Sequence, residues 1–377
     1  MPLELLKIHN GRNLKEFNFS PHPRLNIISG ANGVGKTTIL ESIYILLRAR
    51  TFRTNKFKSF IHYQQNNCTI FSRFSSLKNE IFTLGISRSK DISQPIIHLN
   101  AQKIHSLSSI TNLVVLAIIT PESFSLLDSG PAIRRKFIDW GVFHVEHSFL
   151  INWQNYKKIL KNRNTLLSKF SSEFRNSHKL SSQQRKLINC WSSQLIVLNN
   201  KLDNLRDKQL IRISPYFKEY LDLFSKQLAN EINLSFYRGW SKDINYTEYL
   251  QKKINEDIIA GYTRYGTHRS ELKITINNMM AKDVLSRGQK KIVIICLILA
   301  QFRYLMESDS TRLHNLLLLD DMDSELDSSN LQILFKILAS LKCQVISTTT
   351  DEKRYNFIDK EKYKVFHVKH DENVNKL

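Results

Sequence analysis

The stretch IISGANGVGKTTIL, residues 27 to 40, restricts this chain more than any other. It reads G-x-x-x-x-G-K-T from Gly30 to Thr37, behind an apolar run and ahead of a helical pattern. That order predicts a strand, a tight turn and a helix whose first amides surround a phosphate. Gly30, Gly33 and Gly35, with Ala31, Asn32 and Val34 between them, let the backbone N–H groups close around phosphate oxygens. Lys36 is expected to reach the β- and γ-phosphates. The Thr37 hydroxyl is expected to take a Mg²⁺ position, with Thr38 completing the loop. An ordinary glycine-rich turn is the competing reading, and the flanking strand and helix patterns weigh against it.

At 377 residues the chain is long for one compact core, so two lobes are expected. Lys+Arg 55 against Asp+Glu 34 gives a formal charge of +21, which points to a polyanionic partner such as nucleic acid or an anionic membrane face. A generic solvated basic surface is the alternative. Cys68, Cys190, Cys296 and Cys343 lie far apart, with no CxxC pair, as in a reduced cytosolic protein without a zinc site. The start, MPLELLKIHNGRNL, has no apolar core behind a basic end, so no signal peptide is expected. The run from Ile292 to Ala300 falls far short of the ~20 residues a membrane span needs.

LELLKI and LNIISG read as strands, and TTILESIYILLRAR reads as a helix with Ile39, Leu40, Ile43, Leu46 and Leu47 on one side. TIFSRF and IFTLGISR alternate as antiparallel strands do. From about Phe149 the pattern becomes helical, with Trp153, Tyr156, Leu160, Leu167 and Phe170 in phase until the polar stretch SSEFRNSHKLSSQQ. Leu187, Trp191, Leu195, Leu198, Leu202 and Leu205 then form a near-heptad seam, so an antiparallel helix hairpin is expected. The α/β texture returns from about Ala281. These shifts predict a nucleotide head assembled from residues 1–110 and 263–377, with a helical lobe inserted over 111–262.

Two later stretches narrow the class of nucleotide protein. In LLLLDDMDSELD, residues 316 to 327, a buried strand ends in acids, as the partner of a phosphate loop does. Asp320 is expected to hold Mg²⁺ through water. Asp321 is expected to polarise the attacking water, slowly, because Asp is one methylene shorter than the Glu usual there. In LSRGQKK, residues 285 to 291, Ser286, Arg287, Gly288 and Gln289 can present a hydroxyl and amides at a helix N-terminus. A chain that already binds the terminal phosphates has little need of another such binder. These four residues are therefore expected to close over ATP held by a second copy. A simple helix cap is the alternative. No N-K-x-D guanine reader follows the Asp-bearing strand.

In this order, phosphate loop, LSRGQ, LLLLDD and SELD resemble the ATP-binding-cassette head domains. Within that class the chain resembles the RecF family, relatives of the SMC-type ATPases. RNL, ARTFRTNKF, PESFSLLDSGPAIRRKFIDWGVFH, YKKILKNRNTLL and GTHRSEL carry that likeness, which runs from about residue 3 to residue 327. The family usually has Pro and two acids where Thr267, Ser270 and Glu271 stand, and a small residue where Asp323 stands. No convincing glutamine loop is found, and ISTTT stands where many transport ATPases carry a switch histidine.

The resemblance implies an α/β head of the ABC ATPase type, a phosphate-loop core plus an antiparallel β subdomain, with an inserted, mostly helical lobe. It also implies ATP with Mg²⁺, an ATP-dependent homodimer, binding of double-stranded or gapped DNA, and RecR-like and RecO-like partner proteins. These belong to DNA replication, repair, recombination and the SOS response in the cytoplasm, on the nucleoid. Ser324 and Asp327 of SELD are expected to join the nucleotide site.

The residues themselves offer two DNA-contact candidates. RARTFRTNKFK carries Arg48, Arg50, Arg53, Lys56 and Lys58 and no acid. From His147 to Ser172 no acid occurs, while Lys157, Lys158, Lys161, Arg163 and Lys169 do. Either stretch can lie on phosphate oxygens, and either can be a solvated face. Two rival functions are a transporter-type ATPase subunit and an SMC-like ATPase whose main target is a protein.

Overall fold

The protein is described by a computed structural model covering residues 2–54, 57–75, 81–92, 94–104, 110, 114–146, 148–308, 314–369 and 375–376. The chain divides into two compact units, Met1–Phe124 with Lys291–Leu377, and Ser125–Lys290.

In the first unit, β1 (Leu3–Gly11) and β2 (Leu14–Phe19) pair antiparallel, with Leu6 opposite Phe19. β3 (Leu25–Ser29) enters a different sheet, and α1 (Lys36–Arg48) follows the phosphate loop. β4 (Asn67–Ser75), β5 (Ile81–Ser89), β6 (Ile96–Leu99) and β7 (Gln102–Ile104) complete an antiparallel sheet of order β2-β1-β4-β5-β6-β7. The alternation read in TIFSRF and IFTLGISR has its cause here, because Cys68, Ile70 and Phe74 face the core with Phe82, Leu84 and Ile86. β8 (Val114–Ile119) joins the sheet that holds β3.

α1 packs against strands of both sheets. Ile39, Leu40, Ile43, Leu46 and Leu47 are buried as expected, but Ile45 and Glu41 are buried too. The helix is enclosed rather than one-sided. Each such aliphatic side chain contributes about 2 kcal/mol of burial. Glu41 tolerates the interior because Arg12 grips it with Nε at 2.7 Å and Nη2 at 3.0 Å.

The second unit is mainly helical. α2 (Pro131–Val145) starts with proline in its first turn, where a missing N–H costs nothing. α3 (Phe149–Ser177) and α4 (Ser182–Phe224) pack together as a hairpin. The polar stretch read as the break is mostly helix, and the turn is confined to 178–181. Leu167, Phe170 and Phe174 keep the buried stripe in phase through it, against Ile188 and Ile258, while the polar residues largely face water. His178 then takes φ 52°, and Ser181 with Gln184 forms a capping box at 3.1 and 2.8 Å that opens α4.

β9 (Ile232–Tyr237), α5 (Ile254–Ala260), β10 (Glu271–Ile276) and β11 (Met279–Met280) follow, with β10 between β9 and β11 in an antiparallel sheet.

The seam of α4 differs from the leucine run in the sequence. Its buried stripe is Ile188, Ser192, Leu195, Asn199, Leu202, Arg206, Ile213 and Phe217, whereas Leu187 is 45% exposed. Ser192, Asn199 and Arg206, spaced by seven, hold a polar network. Arg206 gives Nε and Nη2 to Asp139, and Nη1 to the Thr267 carbonyl, the Thr267 hydroxyl and the Ser270 hydroxyl. Asn199 Oδ1 accepts from the Thr267 amide at 2.7 Å. The GTHRSEL block is therefore an internal brace of this unit. Gly266 sits at φ 136°, where an added Cβ would stand 2.7 Å from the Tyr246 hydroxyl.

α6 (Arg287–Ser308) carries the chain out of the second unit. β12 (His314–Leu319), α7 (Met322–Glu325), α8 (Ser328–Ser340), β13 (Gln344–Thr349), β14 (Tyr363–His367) and β15 (Asn375–Lys376) follow. The second sheet has order β15-β14-β3-β13-β12-β8, parallel from β14 to β8. Parallel pairing brings the C-terminal ends of β3, β12 and β13 to one edge, where Gly30, Asp320 and Thr349 stand.

Candidate nucleotide-binding site

The phosphate loop leaves β3 at that edge. Gly30 N–H donates to the Thr349 carbonyl at 3.3 Å, and a Cβ on Gly30 would stand 2.6 Å from the Val368 carbonyl, so only glycine fits. Gly33 and Gly35 take φ 82° and 112°, conformations that L side chains rarely adopt. Ala31, Asn32 and Gly33 are exposed, while Val34 anchors the loop in the core. Lys36 Nζ lies within the loop's own curve, on the carbonyls of Gly30 and Ala31 at 2.8 and 2.9 Å. Asn13 braces the loop from β1–β2. Its Nδ2 donates to the Gly33 carbonyl at 3.0 Å, and its Oδ1 accepts from the Thr38 hydroxyl at 3.3 Å. Sequence reasoning gave Asn13 no role, although it sits inside the RNL block.

Thr37 Oγ1 donates to Asp320 Oδ1 at 3.1 Å, joining residues 283 apart in sequence. Thr348 on β13 pins both acids, because its hydroxyl donates to Asp320 Oδ1 at 2.8 Å and accepts from the Asp321 amide at 3.0 Å. Asp321 stands at φ 50°, a left-handed conformation that starts α7. Burial pushes the Asp320 carboxyl up to about 6, only partly offset by the Thr348 and Thr37 hydroxyls, with the neighbouring charge of Asp321 adding to the rise. Such a carboxylate gains from a bound cation. The hard oxygens of Thr37 and Asp320 suit Mg²⁺, which takes few protein ligands and keeps phosphate and water oxygens.

Asp323 is 3% exposed, and burial raises its carboxyl above the ordinary range. Its Oδ2 accepts from the Thr349 hydroxyl at 2.7 Å. Thr348 and Thr349 were visible only as ISTTT, with no role attached.

Ser324 is exposed, its hydroxyl donating to the Asp321 carbonyl at 2.8 Å. Asp327 caps α8, accepting from the Asn330 amide at 2.8 Å and the Ser329 hydroxyl at 2.7 Å, and these bonds hold its carboxyl below the usual range. In the second unit, Ser286, Arg287, Gly288 and Gln289 are all exposed at the head of α6. Ser286 and Gln289 form a capping box at 3.0 and 3.3 Å, which leaves the serine O–H free to donate outward.

Of the basic candidates, Arg50, Arg53 and Lys58 are exposed. Lys56 lies outside the described residues. Arg48 is half-buried and donates to the Leu116 carbonyl at 3.2 Å, with burial lowering its guanidinium to about 10. Arg163 is not a surface cation at all. It is fully buried on Asp257 at 2.8 Å and on the Thr263 and Ser192 hydroxyls, while Lys157, Lys158, Lys161 and Lys169 stay exposed.

A phosphate loop on a parallel sheet, an acid-ended strand one strand removed from it, an antiparallel β subdomain and a separate helical unit define an ABC-type head of the SMC class. The family model for the RecF/RecN/SMC N terminal domain matches residues 2–374. The DNA replication and repair protein RecF of Pseudomonas syringae pv. tomato is 34% identical over 94% of this chain and 92% of that protein. That of Stutzerimonas stutzeri is 33% identical over 98% and 96%. The chain belongs to the RecF family. A solved structure of the recombination mediator protein RecF-ATP in the RecFOR pathway shares the fold with a TM-score of 0.81 at 24% identity, covering 100% of this chain and 97% of that one. An Smc head bound to the C-winged helix domain of ScpA follows at 0.56 and 14%, covering 100% and 98%. Among the described residues no helix is long and apolar enough to cross a membrane.

Proposed function

We propose that this chain is an ATP-dependent DNA-binding recombination mediator, which grips duplex or gapped DNA as a dimer closed around ATP and helps load a recombinase at damaged replication sites. The observation that carries the reading is the convergence of the phosphate loop, the Thr37–Asp320 pair and Thr348 at one sheet edge, in a chain that also exposes a serine-capped helix end at Ser286–Gln289.

The loop amides and Lys36 bind the phosphates. Thr37 and Asp320 hold Mg²⁺, which supplies charge neutralisation at the terminal phosphates. Asp321 orients and polarises the attacking water, with Thr348 fixing its backbone. Ser286 to Gln289 of one copy meet the ATP of the other, where helix amides and a free hydroxyl proton suit an anion. Ser324 and Asp327 shape the turn that meets the partner copy. The dimer is thus favoured only with ATP, and hydrolysis releases it. Arg50, Arg53 and Lys58, with Arg48 behind them and Lys56 between, lay positive charge on DNA phosphates without reading bases. The RecF structure named for the RecFOR pathway supports the reading that RecR-like and RecO-like proteins are partners, and work on the nucleoid follows from DNA as the proposed target.

The test is binding of labelled duplex, single-stranded and gapped DNA, with and without ATP–Mg²⁺, for the wild type and Lys36→Ala. ATP-dependent duplex or gapped-duplex binding, lost in the variant, is the expected result. Binding that ignores both ATP and Lys36 would reject the reading in favour of a protein-directed SMC-like ATPase.

A further inference from the structure

Asp323 is costly where it stands. Its side chain is buried two residues after Asp321, and its Oδ1 is buried with no hydrogen-bond partner. Arg354 lies close, but its guanidinium donates to the main-chain carbonyls of Asp323 and Leu326, not to the carboxylate. A small apolar residue at 323 would remove a half-satisfied buried carboxylate. A group kept at such cost calls for a role beyond folding.

Its one side-chain bond indicates that role. Thr349, which donates to Asp323 Oδ2, also accepts from the Asp351 amide at 2.9 Å and receives Gly30 N–H on its carbonyl. A continuous path therefore runs from α7 through the end of β13 to the first glycine of the phosphate loop. On its far side Gly30 is confined by the Val368 carbonyl, so that end of the path is fixed. The other end is the turn that begins with Asp321 in a left-handed conformation and contains Ser324.

We propose that Asp323 is a positioning residue for ATP hydrolysis. Through the Thr349 hydroxyl it ties the turn carrying Asp321 and Ser324 to the phosphate-loop end, and so holds Asp321 in the conformation from which it acts. The inference rests on the ATPase reading above. The loop amides that bind ATP do not depend on this tie, so its loss acts on turnover and leaves nucleotide binding intact.

The test is steady-state ATP hydrolysis and thermal unfolding without nucleotide for the wild type, Asp323→Ala, Asp323→Asn, Thr349→Val and the Asp323→Ala/Thr349→Val pair. Asp323→Ala and Thr349→Val are expected to lower kcat about tenfold at unchanged KM, because the turn is mispositioned rather than removed. Asp323→Asn keeps an oxygen for the Thr349 hydroxyl and is expected to restore most of kcat. The double variant should be no slower than either single one. Asp323→Ala should melt at the same temperature as the wild type or a few degrees higher, the opposite of a structural loss. Wild-type kcat in Asp323→Ala, or a kcat loss that tracks a fall in melting temperature, overturns the inference alone. A wild type that hydrolyses no ATP overturns the ATPase reading and this inference with it.

Discussion

The edge of the parallel sheet in the first unit and the polar brace in the second unit are both rich in buried charge, yet they handle it in opposite ways. At the sheet edge, Asp320 is held above its usual pKa, Asp321 sits in a left-handed conformation and Asp323 keeps an orphan oxygen. Among the described residues Lys36 bonds to two loop carbonyls and to no carboxylate. In the brace, Arg206 uses all three guanidinium nitrogens, bidentate on Asp139 and forked over Thr267 and Ser270, with its plane over Trp153 at 5.2 Å. At the sheet edge the costly groups stand beside the phosphate loop, where a ligand can offset them, although the brace too keeps a buried unpaired atom in Asn199 Nδ2. A cation whose donors are all paired marks a place where the fold is specified.

Removing the paired arginine should give the largest effect on stability. Arg206→Ala leaves Asp139, Thr267 and Ser270 without their donor and should cost about 3–5 kcal/mol in denaturant unfolding. A loss below about 1 kcal/mol would mean that the brace is not what holds the second unit.

The two regions should also respond to pH with opposite sign. His268 donates Nε2–H to the Thr263 carbonyl at 3.1 Å, and its Nδ1 lies 2.8 Å from the Tyr156 hydroxyl. Burial lowers its pKa to about 4. Its stability contribution is complete above the unfolded value of about 6.5 and fades as pH falls through that window towards 4, by about 2 kcal/mol after allowance for partial exposure. Asp320, raised to about 6 by burial, behaves in reverse. Its contribution is complete below the unfolded value of about 3.9 and is lost as pH rises through 6, until a cation binds. Unfolding free energies measured from pH 4 to 7 for the wild type, His268→Asn and Asp320→Asn check both slopes. Each variant should delete one slope and keep the other.

The smallest stability effect should come from the residue with the largest functional one. Lys36→Ala should change unfolding free energy by less than about 1 kcal/mol, since the two carbonyl bonds it loses are offset by removing a buried charge, while nucleotide affinity collapses. Calorimetric titration beside denaturation separates the two. A large stability loss would place Lys36 with the brace instead of the site.

The same contrast explains what could be read from sequence. Glycines, Lys36, Thr37 and the LLLLDD run are dictated by phosphate chemistry at short spacing, so the residues that gather at the sheet edge were legible. The brace was not. Ser192, Asn199 and Arg206 lie on the core face of α4, where a hydropathy pattern seeks leucines, and the seam was drawn through exposed Leu187 instead. Arg206 finds its partners 61 and 67 residues away, and Arg163 finds Asp257 94 residues away. Nothing local in a basic stretch separates a buried arginine from the exposed lysines beside it. The hairpin was legible but its turn was drawn too long, because polar residues on the wet face of α3 look like a loop. Asp323 was visible only as a departure from the small residue the family usually has there, until Thr349 stood beside it.

The central claim is that ATP joins two copies through the exposed Ser286–Gln289 helix end. The direct measurement is sedimentation of the wild type and Ser286→Arg, with and without ATP–Mg²⁺, alongside ATP binding. The account predicts a wild type that dimerises only with ATP, and a variant that binds ATP normally yet stays monomeric. A variant that dimerises like the wild type would contradict it.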